Sequence, residues 1–351
     1  MSDSLLFKYA VNTGKMISME FISKGDYYPE QAWGSEGQIY PSLMGTALLG
    51  LYKKTNNVLF LDGVKAIIES NIQKQMPSGG WALSLGATAN GVKFKVSENI
   101  KNLTSGIEDL PPTSAALRLM SDYQVLTGDK KYESKLKLGH NFMMSFWNND
   151  EELFEEMLDE AALKLRAKPK NYQIYSYQYL KSVSNIYPEI KGKLPILYKT
   201  IKKIFLEMDA DTYPLLYSLY ACLIIQSEKK TEFVTANIKS KIEGELVFNS
   251  RFKIENKPGV YGHHDGLRGI CLDEGHLRNS IGLAMVLKFY DTYTDDGDYL
   301  NSELYSQLES WILSMYFDNR FFEFEDLKTG EKLGVGTPGQ FLPIWLALGV
   351  I

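Results

Sequence analysis

The sequence predicts an all-α protein, an (α/α)6 toroid in which about six helical hairpins close into a ring, and three observations support this. Largely apolar runs of helical length recur along the 351 residues. Amphipathic runs alternate with them. The connections are short after each apolar run and mostly long before the next one. We therefore expect one domain, residues 1–351, with inner helices shielded by outer ones.

The inner helices are predicted from runs that are apolar on nearly every side, since such helices are buried on most of their surface. A turn or capping residue precedes each run. The six runs are EGQIYPSLMGTALLGLYKKT, DLPPTSAALRLMSDYQVLTGD, NYQIYSYQYLKSVSN, DADTYPLLYSLYACLI, HLRNSIGLAMVLKFYDTY and GTPGQFLPIWLALGVI.

The outer helices are predicted from runs whose apolar residues return every three or four positions, with lysines and glutamates between them. The runs are VLFLDGVKAIIESNIQKQ, KKYESKLKLGHNFMMSFW, LPILYKTIKKIFLEM, KTEFVTANIKSKIEGEL and NSELYSQLESWILSMYF. Together the two sets give an alternation of inner and outer helices.

The long connections are rich in glycine and contain alternating segments typical of short β-hairpins. All of them lead into the N-terminal ends of inner helices, so they gather on one face. Long loops on a rigid scaffold usually carry binding and catalysis. We therefore expect the functional site at the N-terminal ends of the inner helices.

Composition excludes several classes of protein. A net charge of −5 without a basic cluster argues against nucleic-acid binding, which depends on neutralising phosphates. Cys222 and Cys271 lie in no CxxC pair, so we expect reduced thiols and no structural zinc. We see neither a targeting signal nor an apolar run long enough to span a bilayer. These features predict a cytoplasmic protein without a cofactor.

One polar stretch, YGHHDGLRGICLDEGHLRNS (residues 261–280), leads into the fifth inner helix. His263, His264 and His276 are candidate acids or bases, because histidine titrates near neutral pH. Tyr261 is a candidate phenolic acid. Such groups suit β-elimination on a uronic acid. Metal ligation and a loop that is merely well ordered are the alternatives.

Two arginines of the same stretch, Arg268 and Arg278, are candidates for binding a substrate carboxylate or phosphate through paired hydrogen bonds. Trp81, Tyr213 and Tyr261 are candidates for stacking on a sugar ring. Paired carboxylates would instead support glycoside hydrolysis, and acidic residues near inner-helix starts are candidates, although a helix start also favours acids as caps. These acids are Glu36, Asp109, Asp209, Asp211, Asp265 and Glu274.

Three short motifs resemble the squalene-cyclase type of terpene cyclase. QMPSGGW (Gln75–Trp81) fits a turn that recurs in that family, QFLPIWLALG is similar to its last inner helix, and DADT (209–212) is similar to its acid motif. The resemblance implies that Asp211 would protonate a polyprenyl substrate while Asp209 orients it. A helix cap is the alternative for DADT.

Two turns resemble those of the six-hairpin glycosidases and the α/α-barrel polysaccharide lyases. They are FFEFEDLKTGEKLG (321–334) and FWNNDEELFEE (146–156), each after a predicted outer helix. The resemblance implies a toroid with a substrate site on its open face. Our leading hypothesis is a glycoside hydrolase or lyase acting on an oligosaccharide or other small molecule. A class II terpene cyclase and a non-catalytic binding toroid are the alternatives.

Overall fold

The computed structural model describes residues 4–27, 39–81, 88–89, 92–93, 110–155, 172–208, 214–243, 250–265, 269–294, 297–335 and 337–351, with backbone only at 88–89, 92–93, 264–265, 269 and 337. The chain forms two compact units. The middle unit is Ile17–Ile204, and the terminal unit joins Met1–Met16 to Phe205–Ile351. The single domain of residues 1–351 stays a prediction.

Helices dominate the described residues. The α-helices are α1 (Leu5–Lys24), α2 (Ile39–Thr55), α3 (Val58–Gln73), α4 (Leu110–Thr127), α5 (Glu133–Met144), α6 (Gln173–Val183), α7 (Lys193–Glu207), α8 (Pro214–Glu228), α9 (Ser240–Glu243), α10 (Leu277–Thr294), α11 (Glu303–Ser314) and α12 (Thr337–Leu348). A π-helix covers Val234–Lys239, and 3-10 turns cover Pro188–Gly192, Ser250–Phe252 and Tyr299–Asn301.

Short antiparallel strands occupy the connections. They are β1 (Thr88–Ala89), β2 (Val92–Lys93), β3 (Trp147–Asn148), β4 (Leu153–Phe154), β5 (His263–Asp265), β6 (Gly269–Cys271), β7 (Glu274–His276), β8 (Tyr316–Phe317), β9 (Arg320–Phe321), β10 (Phe324–Asp326) and β11 (Lys332–Leu333). Four pairs form hairpins, and β11, β10 and β7 form a three-stranded sheet in that order. The predicted hairpins in the long connections are therefore confirmed where the chain is described.

The middle unit is built on three apolar helices, since α4 packs against both α2 and α6. The amphipathic helices α3 and α5 cover α2 and α4. Close packing needs glycine at one crossing: a Cβ atom at Gly45 would lie 2.5 Å from the Leu119 side chain. Helices α2 and α4 therefore approach more closely than any larger residue at position 45 would allow.

The terminal unit repeats this arrangement. Helix α10 packs against α8 and α12, and α11 covers α10. Ten consecutive residues of α8, Leu216 to Ile225, are buried, as its composition predicts. Buried apolar helices at the centre and amphipathic helices outside give each unit its core.

All six predicted inner runs form helices over most of their described residues, but one predicted outer helix differs from expectation. KTEFVTANIKSKIEGEL forms a π-helix and one α-helical turn. Here Thr235, Asn237 and Ser240 bind carbonyls of their own helix, which competes with the regular ladder. Helix α1 is not among the predicted runs. No described helix is long and apolar enough to cross a membrane.

Candidate functional site

The candidate site lies in the terminal unit, where strand β7 runs directly into helix α10. His276 ends β7, and its backbone N–H donates to the carbonyl of Tyr261 at 2.7 Å. His263 begins β5, whose pairing with β6 sets it opposite Cys271. These strands bring the two imidazole rings to a centroid separation of 4.9 Å. The clustering of histidines in the sequence thus becomes a spatial pair.

A common apolar wall supports this histidine pair. Phe324 on β10 lies opposite His276 in the sheet register. Its ring centroid is 4.6 Å from that of His276 and 5.5 Å from that of His263. The two histidines are only 3 % and 7 % exposed, respectively. Both rings are therefore held in fixed orientations and largely out of water.

His263 is oriented by a carboxylate. Its Nε2 lies 3.2 Å from Oε2 of Glu274, which is about a quarter exposed. Because an ionised carboxylate only accepts hydrogen bonds, this contact assigns the hydrogen to Nε2 of His263. The arrangement is the histidine–carboxylate pair that orients an imidazole in many acid–base sites.

His276 has the opposite tautomer. Its Nε2 lies 3.2 Å from a terminal nitrogen of Arg278, and a guanidinium can only donate. Nε2 therefore carries the lone pair and Nδ1 carries the hydrogen, and no described residue hydrogen-bonds to that buried Nδ1. Burial, then the neighbouring Arg278 and His263, lower the pKa of His276 well below its usual value. His276 is therefore neutral at pH 7.

Arg278 is itself held by a buried acid. Its Nε lies 2.8 Å from Oε1 of Glu323, which is 0 % exposed, while Oε2 accepts from the Gly339 N–H at 2.9 Å. The contact with Arg278 is an ion pair between a guanidinium and a carboxylate. Burial raises the pKa of Glu323, against the lowering effect of Arg278 and the Gly339 N–H.

The surrounding loop is fixed by further polar contacts. Asn279 Nδ2 donates to the Gly262 carbonyl at 2.7 Å, which ties β5 to the first turn of α10. Glu325 binds Lys257 at 2.8 Å through one oxygen and the Trp311 indole at 2.7 Å through the other. These contacts fix the described residues around the histidine pair.

Trp81, a predicted substrate-binding residue, lies in the middle unit. Its ring is fully buried, and its indole N–H donates to the Asn71 carbonyl at 2.8 Å. Its backbone N–H donates to Thr113 Oγ1 at 3.0 Å. These contacts favour a structural role in which Trp81 anchors its loop to α4.

The remaining predicted residues lie outside the described part of the chain. They are Glu36, Asp109, Asp209, Asp211, Tyr213, Arg268 and the side chains of His264 and Asp265. Their roles stay predictions. Within the described part of the chain, no three His, Cys, Asp or Glu residues are grouped as metal ligands.

Two polar features were not predicted from sequence. Glu323 is one, because its partner Arg278 lies on a distant segment. The other is Arg118 in the middle unit, which donates to Gln178 Oε1 at 2.6 Å and lies 3.5 Å from Asp122. Burial lowers the pKa of Arg118 despite that acid. An arginine and an aspartate four residues apart within an otherwise apolar helical run were the available signal.

Comparison with known proteins identifies the fold but not a family. No family model matches the chain, and no curated protein matches it either. Among solved structures, a D-mannose isomerase aligns over 99 % of both chains with a TM-score of 0.65 and 12 % identity. Cellobiose 2-epimerase from Spirochaeta thermophila aligns over 98 % of both, with a TM-score of 0.63 and 10 % identity.

A type II terpene cyclase from Scytonema also aligns, over 97 % of both chains, with a TM-score of 0.55 and 10 % identity. At these identities the likeness shows the fold alone. It confirms the predicted all-α, (α/α)6 toroid fold and the resemblance to both carbohydrate enzymes and terpene cyclases. The chain therefore has this fold, and it is assigned to no single family.

Proposed function

We propose that this chain is a carbohydrate-active enzyme that removes and returns a proton at a carbon atom of a sugar, with His263 and His276 as the acid–base pair. One observation carries the proposal: the two rings lie 4.9 Å apart. The partner of each Nε2 assigns the two rings opposite tautomers. A neutral imidazole with its lone pair on Nε2 suits a base once the Arg278 nitrogen that faces it donates to a substrate oxygen, and a second imidazole with hydrogen on Nε2 suits an acid.

The structural neighbours support a sugar as substrate. Two of them are named as an isomerase of mannose and a 2-epimerase of cellobiose. Changing a reducing sugar at C2 can proceed by removal of the C2 proton, with the electrons moving onto the carbonyl oxygen, and by return of a proton to carbon. That chemistry needs an acid–base pair and no leaving group.

Hydrolysis of a glycosidic bond requires two carboxyl groups on either side of that bond. Among the described residues of the site, Glu323 is buried against Arg278, and Glu325 is bound by Lys257 and Trp311. Glu274, which is partly exposed, holds His263. The geometry therefore favours proton transfer by histidine over hydrolysis.

A lyase acting on a uronic acid would use the same histidines as base and acid. It would also need a cation to neutralise the substrate carboxylate. Arg278 is already paired with Glu323 at 2.8 Å. We therefore favour a neutral sugar over a uronate, with Arg278 donating to a sugar oxygen beside His276.

The test is exchange of the C2 hydrogen of D-mannose and cellobiose with solvent deuterium, followed by proton NMR. We expect exchange by the unaltered protein and a loss of at least ~100-fold in His276→Asn and His263→Asn. His140→Asn is the matched control, because His140 is a buried histidine of the middle unit bonded to Tyr179. Absence of exchange with any reducing aldose would overturn the proposal.

A terpene cyclase is the second candidate, favoured by the DADT motif and by the structure from Scytonema. In that case Asp211→Asn should abolish turnover of a polyprenyl substrate while thermal unfolding stays unchanged. Full turnover by this variant would exclude Asp211 as the acid. If neither substrate class is turned over, a non-catalytic binding toroid is the remaining prediction.

A further inference from the structure

We propose that Glu323 is a positioning residue of this site: its ion pair with Arg278 fixes the Nδ1–H tautomer of His276, leaving the Nε2 lone pair toward the guanidinium. The inference rests on the proposed function, because the tautomer matters only if His276 exchanges a proton with substrate. It adds a residue that touches neither substrate nor histidine and acts through the arginine.

The backbone of Glu323 is fixed at both ends. Its N–H donates to the Gly334 carbonyl at 2.8 Å, and its carbonyl accepts from the Leu277 N–H at 2.9 Å. Leu277 immediately follows His276, so Glu323 is attached by its main chain to the point where α10 begins. Displacement of Glu323 would therefore be transmitted to the histidine.

The side chain of Glu323 connects two elements through its two oxygens. Oε2 accepts from the backbone of Gly339, in the first turn of α12, at 2.9 Å, and Oε1 contacts Arg278 on α10 at 2.8 Å. A Cβ atom at position 339 would lie 2.6 Å from Oε2. Glycine is therefore required there if the carboxylate is to keep this position.

A purely structural role would not need a charge at this position. Burying a carboxylate is unfavourable, and an apolar side chain of similar volume often packs as well or better. The charge does something specific: with Nε of Arg278 held at the carboxylate, a terminal nitrogen of the same planar guanidinium lies 3.2 Å from His276 Nε2. The geometry therefore links the Glu323 carboxylate to the tautomer of His276.

The experiment measures tautomers directly by nitrogen NMR of protein labelled with ¹⁵N in histidine. The chain has four histidines, so single histidine-to-asparagine variants assign each signal. We expect the Nδ1–H form of His276 in the unaltered protein and its loss, to a mixture or to the Nε2–H form, in Glu323→Gln and Gly339→Ala. Glu325→Gln is the matched control, since it removes an equivalent charge two residues along and should leave the tautomer unchanged.

The proposal is overturned if both variants fold, as judged by thermal unfolding, and His276 keeps its Nδ1–H signal. If neither variant folds, Arg278→Lys decides the matter, because lysine retains the charge but lacks the planar fork; an unchanged tautomer there overturns the proposal. The spectra need no substrate. The tautomer can therefore shift as expected in a protein that exchanges no sugar proton, which separates this inference from the proposed function.

Discussion

Two hairpins, one in each unit, are attached to the following helix in the same way. Hairpin β3–β4 comes after α5 and ends at Phe154, whose N–H and carbonyl bind the side chain of Gln173 at 3.0 and 2.7 Å. Hairpin β8–β9 comes after α11 and ends at Phe321, which binds Gln340 at 3.2 and 2.7 Å. In both units the glutamine lies 19 residues after the phenylalanine.

The two regions differ in the residues that come after the phenylalanine. In the terminal unit the chain continues to the buried Glu323 and then to β10, which pairs with the strand that carries His276. In the middle unit Glu155 accepts from Asn148, within its own hairpin, at 2.8 Å. The next residue, Glu156, stands two positions after Phe154, as Glu323 does after Phe321, and lies outside the described residues. The attachment is thus shared by the two units, and in the terminal unit the residues after it belong to the candidate site.

The largest expected effect comes from removing the attachment itself. Gln173→Ala and Gln340→Ala each leave a buried N–H and a buried carbonyl without their partner, which should cost about 2–4 kcal/mol of unfolding free energy. Urea denaturation measures it. Only Gln340→Ala should also slow sugar exchange, since only that hairpin leads to Glu323. Equal loss of exchange in both variants would contradict the division between scaffold and site.

A smaller effect concerns pH. Burial lowers the pKa of both His140 in the middle unit and His276 in the terminal unit, the latter more strongly. A histidine whose folded pKa is depressed binds its proton first in the unfolded chain. The stability it contributes is therefore present above about pH 6.5 and is lost as the pH falls toward the folded value, at up to about 1.4 kcal/mol per pH unit and group.

The measurement is the free energy of unfolding by urea at pH 7.5, 6.5 and 5.5. The decline toward low pH should be reduced in His140→Asn and reduced further in His276→Asn. An identical decline in the unaltered protein and both variants would show that other groups determine the pH dependence.

The smallest effect distinguishes the outer faces of the two hairpins. Lys193 places its Nζ 4.3 Å from the ring centre of Trp147 in the middle unit, whereas Tyr9 stacks on Tyr316 at 3.8 Å in the terminal unit. Lys193→Met keeps the apolar stem and removes the charge, so it should cost about 0.5–1 kcal/mol of stability. The exposed Lys191 serves as control through Lys191→Met, and an equal loss there would indicate a general charge effect.

The sequence predicts structure best where burial determines which residues a segment contains. The inner helices were predicted because apolar residues occupy all their sides, and the histidine cluster because its members lie close together in the chain. Helix α1 has the amphipathic pattern of an outer helix, yet it stands at the start of the chain, where a targeting segment is sought first. Apart from α1, the local sequence pattern therefore predicts most of the helices.

Contacts between segments that are distant in the chain could not be predicted from the sequence. Nothing near FFEFED indicates that Glu323 meets Arg278, and nothing in TPGQ indicates that Gly339 is required by a carboxylate. The tautomers of His263 and His276 are determined only by the partner that each ring meets. These features depend on packing between elements, which periodicity does not report.

The attachment of Phe321 by Gln340 also bears on how such a protein can change over evolution. One side chain fixes both main-chain groups at the end of the hairpin, so the segment between them begins and ends at fixed points. Insertions into such a segment cost little, since loop-closure entropy grows only slowly with length. Longer loops can therefore be acquired between Phe321 and Gln340 without disturbing the helices on either side, and the turn around Gly330 is the place to graft one.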